Sequence, residues 1–307
     1  MKTISKPRYS APLLALVIFM LILISGAANL TGKAETPVEL LLSATVLQIV
    51  IFVLPPVFYG RLKRLPMIET CSIRAFTPSR IVLLISLLGV MLTGSLLINI
   101  AHLAIFSDPG AMDDVTNTFI EIGSRGGTVL TVITVCVMPA LCEEFAFRGM
   151  ILGDLREYRT VPAMLGSALL FSMAHFSFSS FGANLFCGFM LAAAVAVTRS
   201  LLASMVLHAA YNICAVFLLP YIQKITFEPL GTLFTVFICA GVLIIFSALA
   251  LGESQAIYHE YARSRDLEHD GEDGERPSFF EGLFSVLISP TFLLSAVFFT
   301  VLTVVTT

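Results

Sequence analysis

Two adjacent carboxylates, Glu143 and Glu144, follow a run of mostly apolar residues long enough to lie in a membrane. A charged side chain at bilayer depth costs about 2.5–3.5 kcal/mol on insertion scales, so its presence there points to a function. Arg148 lies four residues after Glu144 on the same helical face, and these two are predicted to form an ion pair. Glu143 lies about 100° round the helix from Glu144. It is therefore predicted to point elsewhere and to be available as a general base.

Two histidines lie in other apolar runs of the chain. His175 ends one run, and His208 precedes Asn212 by four residues, so His208 and Asn212 project from one helical face. If the chain turns near Arg159, antiparallel helices bring Glu143 and His175 to the same level. We expect Glu143, His175 and His208 to meet in the inner leaflet. The helix that carries His175 is expected to be short or broken and to line a water-filled cavity.

These side chains suit the hydrolysis of an amide by activated water. Glu143 can accept a proton from the water that His175 holds. His208 and Asn212 can donate hydrogen bonds to the developing oxyanion. Glu143, His175 and His208 would equally form a two-histidine, one-carboxylate zinc site with an open fourth position. The HExxH spacing is absent, so the residues leave zinc-bound water and metal-free water both open.

The elements that must position these residues are apolar helices. The 307 residues are 57% apolar and 13% charged, against about 45–50% and about 25% in soluble domains. This composition predicts an all-α, polytopic transmembrane helix bundle with about eight core spans and one extra C-terminal span. Stretches of roughly 20 apolar residues give nine candidate spans, at about residues 12–30, 38–58, 81–106, 128–152, 161–178, 182–198, 201–221, 229–251 and 282–306.

The loop charges predict an orientation and a division of the chain. With the N-terminus in the cytoplasm, 15 of the 18 Lys and Arg residues fall on the inner side, as the positive-inside rule requires. We expect a multi-pass protein of the cell membrane with an extracytoplasmic C-terminus. The predicted divisions are a membrane domain over residues 1–251 with its catalytic core at about 80–222, an acidic cytoplasmic linker at 252–281, and an extra C-terminal transmembrane helix at 282–307.

Charge and cysteine usage exclude other classes of protein. A net charge of -3 provides no basic field for a polyanion, so no nucleic-acid partner is expected. The six cysteines lie mostly in apolar runs without zinc or disulfide spacing and are interpreted as packing residues. The expected partners are the lipid bilayer and a peptide or membrane-protein substrate, and the oligomeric state is not predicted.

The order of the motifs resembles a known family. Three motifs follow one another on separate predicted spans: Glu143-Glu144-x-x-x-Arg148, Phe171-x-x-x-His175 and His208-x-x-x-Asn212. This set is similar to that of the CPBP intramembrane proteases, also called the Abi or CAAX-protease family, whose eukaryotic members are CAAX prenyl endopeptidases. The resemblance covers about residues 80–222.

The resemblance implies an all-helical membrane fold with a catalytic cavity that opens to the cytoplasm. It also implies that Glu143 and His175 activate water and that His208 and Asn212 form the oxyanion site. The family is often described as metalloproteases, while a metal-independent glutamate mechanism has been argued for its eukaryotic members. Zinc therefore stays open as a cofactor, with Glu143, His175 and His208 as its ligands if it binds.

Two other functions are consistent with the same residues. One is a catalytically silent scaffold or immunity protein that uses this fold to bind a membrane partner. The other is a proton-coupled transporter in which Glu143 and the two histidines relay protons. Transport is disfavoured because the sequence has neither visible repeats nor paired broken helices.

Overall fold

The computed structural model describes residues 10–29, 36–106, 127–156, 159–226, 230–264 and 278–306, and the regular elements in these ranges are helices without any strand. The all-α prediction is therefore confirmed. In chain order the helices are α1 (Ser10–Asn29), α2 (Pro37–Phe52), α3 (Leu54–Leu62), α4 (Met67–Thr70), α5 (Ile81–Phe106), α6 (Thr128–Leu155), α7 (Thr160–Met173), α8 (Phe178–Thr198), α9 (Leu201–Thr226), α10 (Gly231–Arg263), α11 (Phe279–Leu287) and α12 (Pro290–Thr306).

The membrane bundle is confirmed, but the count of nine spans is supported only roughly. Within the described part of the chain, six helical stretches are long and apolar enough to cross a membrane: Val38–Leu62, Pro78–Phe106, Thr128–Leu155, Phe178–Thr198, Leu201–Leu218 and Gly231–Arg263. Helices α11 and α12, bent by 57°, make a seventh if they form one broken span. The remaining two predicted spans fall on the shorter apolar stretches of α1 and α7.

Helix α7 ends before His175, which the fifth predicted span was expected to contain. The prediction ran that span to residue 178, whereas the helix stops at Met173 and a turn leads into α8. The Ser177 hydroxyl accepts a hydrogen bond from the Ser180 N–H and caps α8, and Phe176 adopts a φ of 46°. Such a positive φ is uncommon outside glycine and cannot continue a helix. His175 therefore lies in a turn, and the expectation of a short helix before it is confirmed.

The helix that carries the carboxylate pair is irregular on both sides of it. Helix α6 contains two π-helical segments, Val132–Val137 and Phe145–Ile151, which enclose an α-helical stretch, Met138–Glu144. Pro139 lies just after the first segment, where its missing N–H and its ring disturb the hydrogen-bond ladder. Single-turn π segments of this kind are frequent at functional sites.

Helix α6 is held at its far end by a close approach to the chain after α3. A Cβ atom built at Gly153 would lie 2.5 Å from the backbone oxygen of Thr70. Nearby, the Cys71 thiol is buried against Met150, with 3.2 Å between the two sulfur atoms. Burial raises the pKa of Cys71 to about 11, in keeping with its interpretation as a packing residue.

The C-terminal helices pack back onto the turn that contains His175. Helix α12 contacts α1, and α11 contacts α7. The buried ring of Phe299 lies 5.2 Å from that of Phe178 and 5.4 Å from that of Phe181, centroid to centroid. Phe176 also contacts this cluster, 6.5 Å from Phe299. The extra C-terminal segment is thus joined to the bundle beside the predicted site.

The predicted acidic linker is described only in part, because residues 265–277 lie outside the described ranges. The residues before them continue α10 to Arg263. This extension is fastened to the start of the α5 span, where Arg80 Nη1 lies 2.8 Å from Glu260 Oε2. The Tyr261 ring lies beneath the guanidinium of Arg199, at 4.3 Å.

Candidate active site

Glu144 is the centre of a buried polar network. Its side chain is fully buried, and its Oε1 atom accepts hydrogen bonds from Arg148 Nη1 at 2.7 Å and from His208 Nδ1 at 2.9 Å. Its Oε2 atom accepts one from the Ser204 hydroxyl. The predicted ion pair with Arg148 is confirmed. Because both oxygens are occupied and no surface is exposed, Glu144 has no access to a substrate.

Arg148 extends this network to two further helices. Its Nη2 atom donates to the Gly188 carbonyl of α8 at 3.0 Å, and its Cζ lies 4.1 Å from the centre of the Phe171 ring of α7. A guanidinium over an aromatic face is attracted by the ring quadrupole. The Phe171 ring is itself buried in the hydrophobic core. The arginine ties α6 to the hairpin formed by α7 and α8.

His208 is directed at Glu144 through one ring nitrogen. A carboxylate oxygen only accepts hydrogen bonds, so Nδ1 of His208 carries a proton. The imidazole also meets the edge of Phe171, with 5.9 Å between ring centroids. Sequence reasoning expected His208 to join Glu143. The structure instead brings its Nδ1 to the neighbouring Glu144, because α9 packs against the side of α6 that carries Glu144.

Asn212 lies one helical turn after His208 on α9, as its spacing predicted. Its Nδ2 atom donates to the Cys136 carbonyl at 3.3 Å, in the π segment that precedes Pro139. A primary amide has two N–H groups, so this contact leaves one of them for another acceptor. Asn212 thus binds the irregular backbone segment that precedes the carboxylate pair.

Glu143 and His175 line one cavity of about 290 Å³. Glu143 is half-buried, in contrast to its fully buried neighbour. His175 Nδ1 lies 2.9 Å from the Phe171 carbonyl, which can only accept, so Nδ1 carries a proton and Nε2 is the ring nitrogen left to contact a water molecule. Phe147 and Ala174 complete this side of the cavity. The structure therefore brings together the two residues that were predicted to activate water.

The structure does not bring together the three side chains that would hold zinc if it bound. In the described part of the chain, no group of three or more His, Cys, Asp or Glu side chains is arranged to hold a metal ion. Catalytic zinc sites use three protein ligands. The cavity is lined by Glu143 and His175, and His208 is not among its lining residues. The expected convergence of these three side chains is not found, because His208 is drawn to Glu144.

Two features of the site escaped sequence reasoning. Ser204, which fixes Glu144, stands one helical turn before His208, so the four-residue spacing it shares with His208 and Asn212 was its signal. The second feature is the far wall of the cavity, which comes from α1 and α2 rather than from the predicted core at about residues 80–222. From α1 it receives Ile22 and Ser25.

The contribution of α2 to the cavity is a stripe of five residues on one face: Ala44, Leu47, Gln48, Ile51 and Phe52. Positions separated by three and four residues share a helical face. The opposite face of α2 carries exposed apolar residues such as Val46. Periodicity alone did not find this wall, because both faces of a membrane helix are apolar.

One segment of the chain matches a known protein family. Residues 125–214 match the family model described as Type II CAAX prenyl endopeptidase Rce1-like. Neither the curated proteins nor the solved structures gave a match to the chain. The matched segment runs from the start of α6 into α9 and contains the carboxylate pair, Arg148, both histidines and Asn212. The resemblance inferred from the three motifs is thereby confirmed: over residues 125–214, this multi-pass membrane protein is similar to the Rce1-like family of CAAX-type proteases.

Proposed function

We propose that this protein is an intramembrane endopeptidase that hydrolyses peptide bonds with water activated by Glu143 and His175. The observation that carries the proposal is that both side chains line the same cavity. The similarity of residues 125–214 to a family of prenyl endopeptidases supports the reaction class. The cavity also receives a turn between α7 and α8, and non-helical backbone at membrane depth is tolerated where it lines such a cavity.

Glu143 is the general base. Among the described residues it makes no hydrogen bond to the network around Glu144 and acts on Arg148 through its charge alone, so its carboxylate oxygens are available to accept a proton from water. The proton acceptor at Nε2 of His175 takes the second hydrogen bond from the same water and orients it. The hydroxide attacks the scissile carbonyl carbon, a C–O bond forms, and the carbonyl oxygen becomes an oxyanion. Glu143 then returns the proton to the amine as the C–N bond breaks.

His208 and Asn212 are the proposed oxyanion donors. Neither side chain lines the cavity itself, so the scissile carbonyl of the bound peptide has to extend from the cavity towards α9. The second amide N–H of Asn212 is one donor. His208 donates through Nε2 when its ring is doubly protonated, since Nδ1–H is already directed at Glu144. The Glu144 carboxylate then balances the charge of that imidazolium and holds its ring in place. Glu144 is thus a positioning residue, and the donors it supports act where negative charge develops.

The mechanism proceeds without a metal ion, since the cavity offers two of the three protein ligands that a catalytic zinc requires. The substrate is a peptide or membrane protein that enters from the cytoplasmic side of the cell membrane. This orientation follows from the excess of Lys and Arg on the inner loops, with the N-terminus in the cytoplasm and the C-terminus outside.

The test compares wild type with Glu143→Gln in detergent, each incubated with a library of membrane peptides that is read by mass spectrometry. Glu69→Gln makes the same chemical change at an exposed position and is the control. We expect cleavage by wild type and the control, and a loss of about 10²–10⁴-fold in Glu143→Gln, the range for general acid–base groups. Equal thermal melts exclude misfolding as the cause.

Two outcomes contradict this proposal. Folded wild type that cleaves no library peptide would favour a catalytically silent scaffold. Activity that disappears with a chelator and returns with zinc would refute the metal-free mechanism, for which cleavage in chelator is expected to match cleavage without it.

A further inference from the structure

The cavity wall contributed by α2 contains one long polar side chain. Gln48 stands between Leu47 and Ile51 in the stripe that faces Glu143 and His175. The rest of that stripe is Ala44 and Phe52, so nothing else on this face of α2 can make a strong hydrogen bond. A polar side chain in such an apolar, membrane-embedded stripe is costly unless a partner satisfies it.

The amide oxygen of Gln48 is buried, and it has no hydrogen-bond partner within the described residues. Buried polar atoms in native proteins are nearly always paired, so an unpaired acceptor calls for an explanation. The other polar side chain that α1 gives to this wall does not supply it, because the Ser25 hydroxyl donates to the Ile22 carbonyl at 2.8 Å.

A peptide in this cavity has the complementary need. To be cut, its scissile region must be extended, which leaves its N–H groups without helical partners. Inside the membrane each unsatisfied N–H is expensive. An extended peptide bound over Glu143 and His175 thus requires acceptors from the cavity wall. The buried amide oxygen of Gln48 supplies one when this side chain rotates towards the cavity that it lines.

We propose that Gln48 binds the main chain of the substrate next to the scissile bond, by accepting a hydrogen bond from a peptide N–H. The inference rests on the proposed protease function. The flanking side chains of Leu47, Ile51 and Phe52 then receive an apolar side chain of the same peptide. The substrate class is an extended, apolar peptide segment. Gln48 lies outside the segment that matches the family model, so this recognition belongs to the chain's own N-terminal helices.

The experiment uses the full-length protein and one peptide that wild type cleaves. Each non-scissile amide within three residues of the cut is replaced in turn by a backbone ester, which removes its N–H and keeps its shape. Wild type, Gln48→Met and Val46→Met are compared by kcat and KM on every member of the series. Val46 faces away from the cavity and is 59% exposed, so its variant is the matched control.

We expect one ester to lower kcat/KM of wild type and of Val46→Met by about five- to tenfold, mainly through KM, the scale of one hydrogen bond. On the parent peptide, kcat/KM of Gln48→Met is expected to be lower than that of wild type by the same factor. In this variant, the ester is expected to cause no further loss of kcat/KM. Gln48→Leu, with a second apolar shape, checks that the loss follows the missing amide rather than a misfolded helix.

Three results separate the possible failures. If Gln48→Met and wild type respond equally to every ester, Gln48 does not contact the peptide N–H and the inference is wrong. If Gln48→Met lowers kcat, leaves KM unchanged and cleaves every ester as well as the parent peptide, Gln48 positions the water instead of binding the peptide. That result would also overturn the inference. If folded wild type cleaves no peptide, the protease function itself fails.

Discussion

Replacing Glu144 by glutamine should destabilise the protein, while the same change at the adjacent Glu143 should not. Glu144 is fully buried and accepts hydrogen bonds from Arg148, His208 and Ser204. Glu143 is half-buried at the cavity wall and, among the described residues, makes no hydrogen bond to this network; it acts on Arg148 through its charge alone. The two variants make the same chemical change one residue apart, so each is the control for the other.

The magnitude follows from what remains around Arg148. Without the carboxylate, the guanidinium keeps the Gly188 carbonyl, the Phe171 ring and the more distant charge of Glu143. Its Nε atom already has no hydrogen-bond partner among the described residues. Removing one member of a buried ion pair costs about 3–5 kcal/mol, because the other charge is left uncompensated. Glutamine retains one oxygen acceptor, so we expect the lower end, about 3 kcal/mol. For Glu143→Gln we expect a change within about 0.5 kcal/mol.

The assay is reversible unfolding in mixed micelles, supported by thermal melts at one detergent concentration. A double-mutant cycle with Arg148→Met isolates the pair. Glu144→Gln combined with Arg148→Met should be more stable than Glu144→Gln alone, because no buried charge is then left over. The reasoning would be refuted if Glu144→Gln unfolded like wild type, or if the double variant were less stable than either single variant.

Two further predictions concern the packing that supports the site. Gly153→Ala should lower the free energy of unfolding by about 1–3 kcal/mol, since its Cβ would meet a backbone oxygen at 2.5 Å; Gly241→Ala, in a helix with nothing within 4 Å, should be neutral or stabilising in the same melts. Phe299→Ala should cost roughly 3 kcal/mol by leaving a cavity and should reduce cleavage, because its ring contacts that of Phe176 next to His175. Phe237→Ala, at a position 80% exposed, is the control, and unchanged stability and activity of Phe299→Ala would exclude support of the turn by α12.

Sequence reasoning succeeded where a relation is local. The pairing of Glu144 with Arg148 depends only on four-residue spacing within one helix, and the structure has it. Six of the nine predicted spans, or seven with the bent pair, coincide with described helices that are long and apolar enough to cross a membrane, because that property depends only on composition along the chain. The short helix before His175 was also expected, although its end at Met173 was not, because the cap by Ser177 carries little signal in an apolar run.

Relations between helices were harder to derive. Which of the two adjacent glutamates His208 contacts depends on how α9 is rotated against α6. That rotation cannot be derived from the spacing of residues within one helix. The contribution of α2 to the cavity was missed for a related reason. In a membrane helix both the cavity-facing and the lipid-facing stripes are apolar, so hydrophobic periodicity does not separate Leu47 from Val46.

The rotation between adjacent residues explains how one glutamate pair supports two tasks. About 100° separates neighbouring side chains on a helix, so Glu144 faces α9 while Glu143 faces the cavity and α2. The buried glutamate fixes His208 and Arg148 in a dry interior, where an imperfect pair is costly. The cavity glutamate makes no hydrogen bond to another described residue, which leaves its oxygens to accept a proton. A charge that served both purposes would be either too firmly paired to accept a proton or too mobile to hold the helices, and the adjacent pair avoids that conflict.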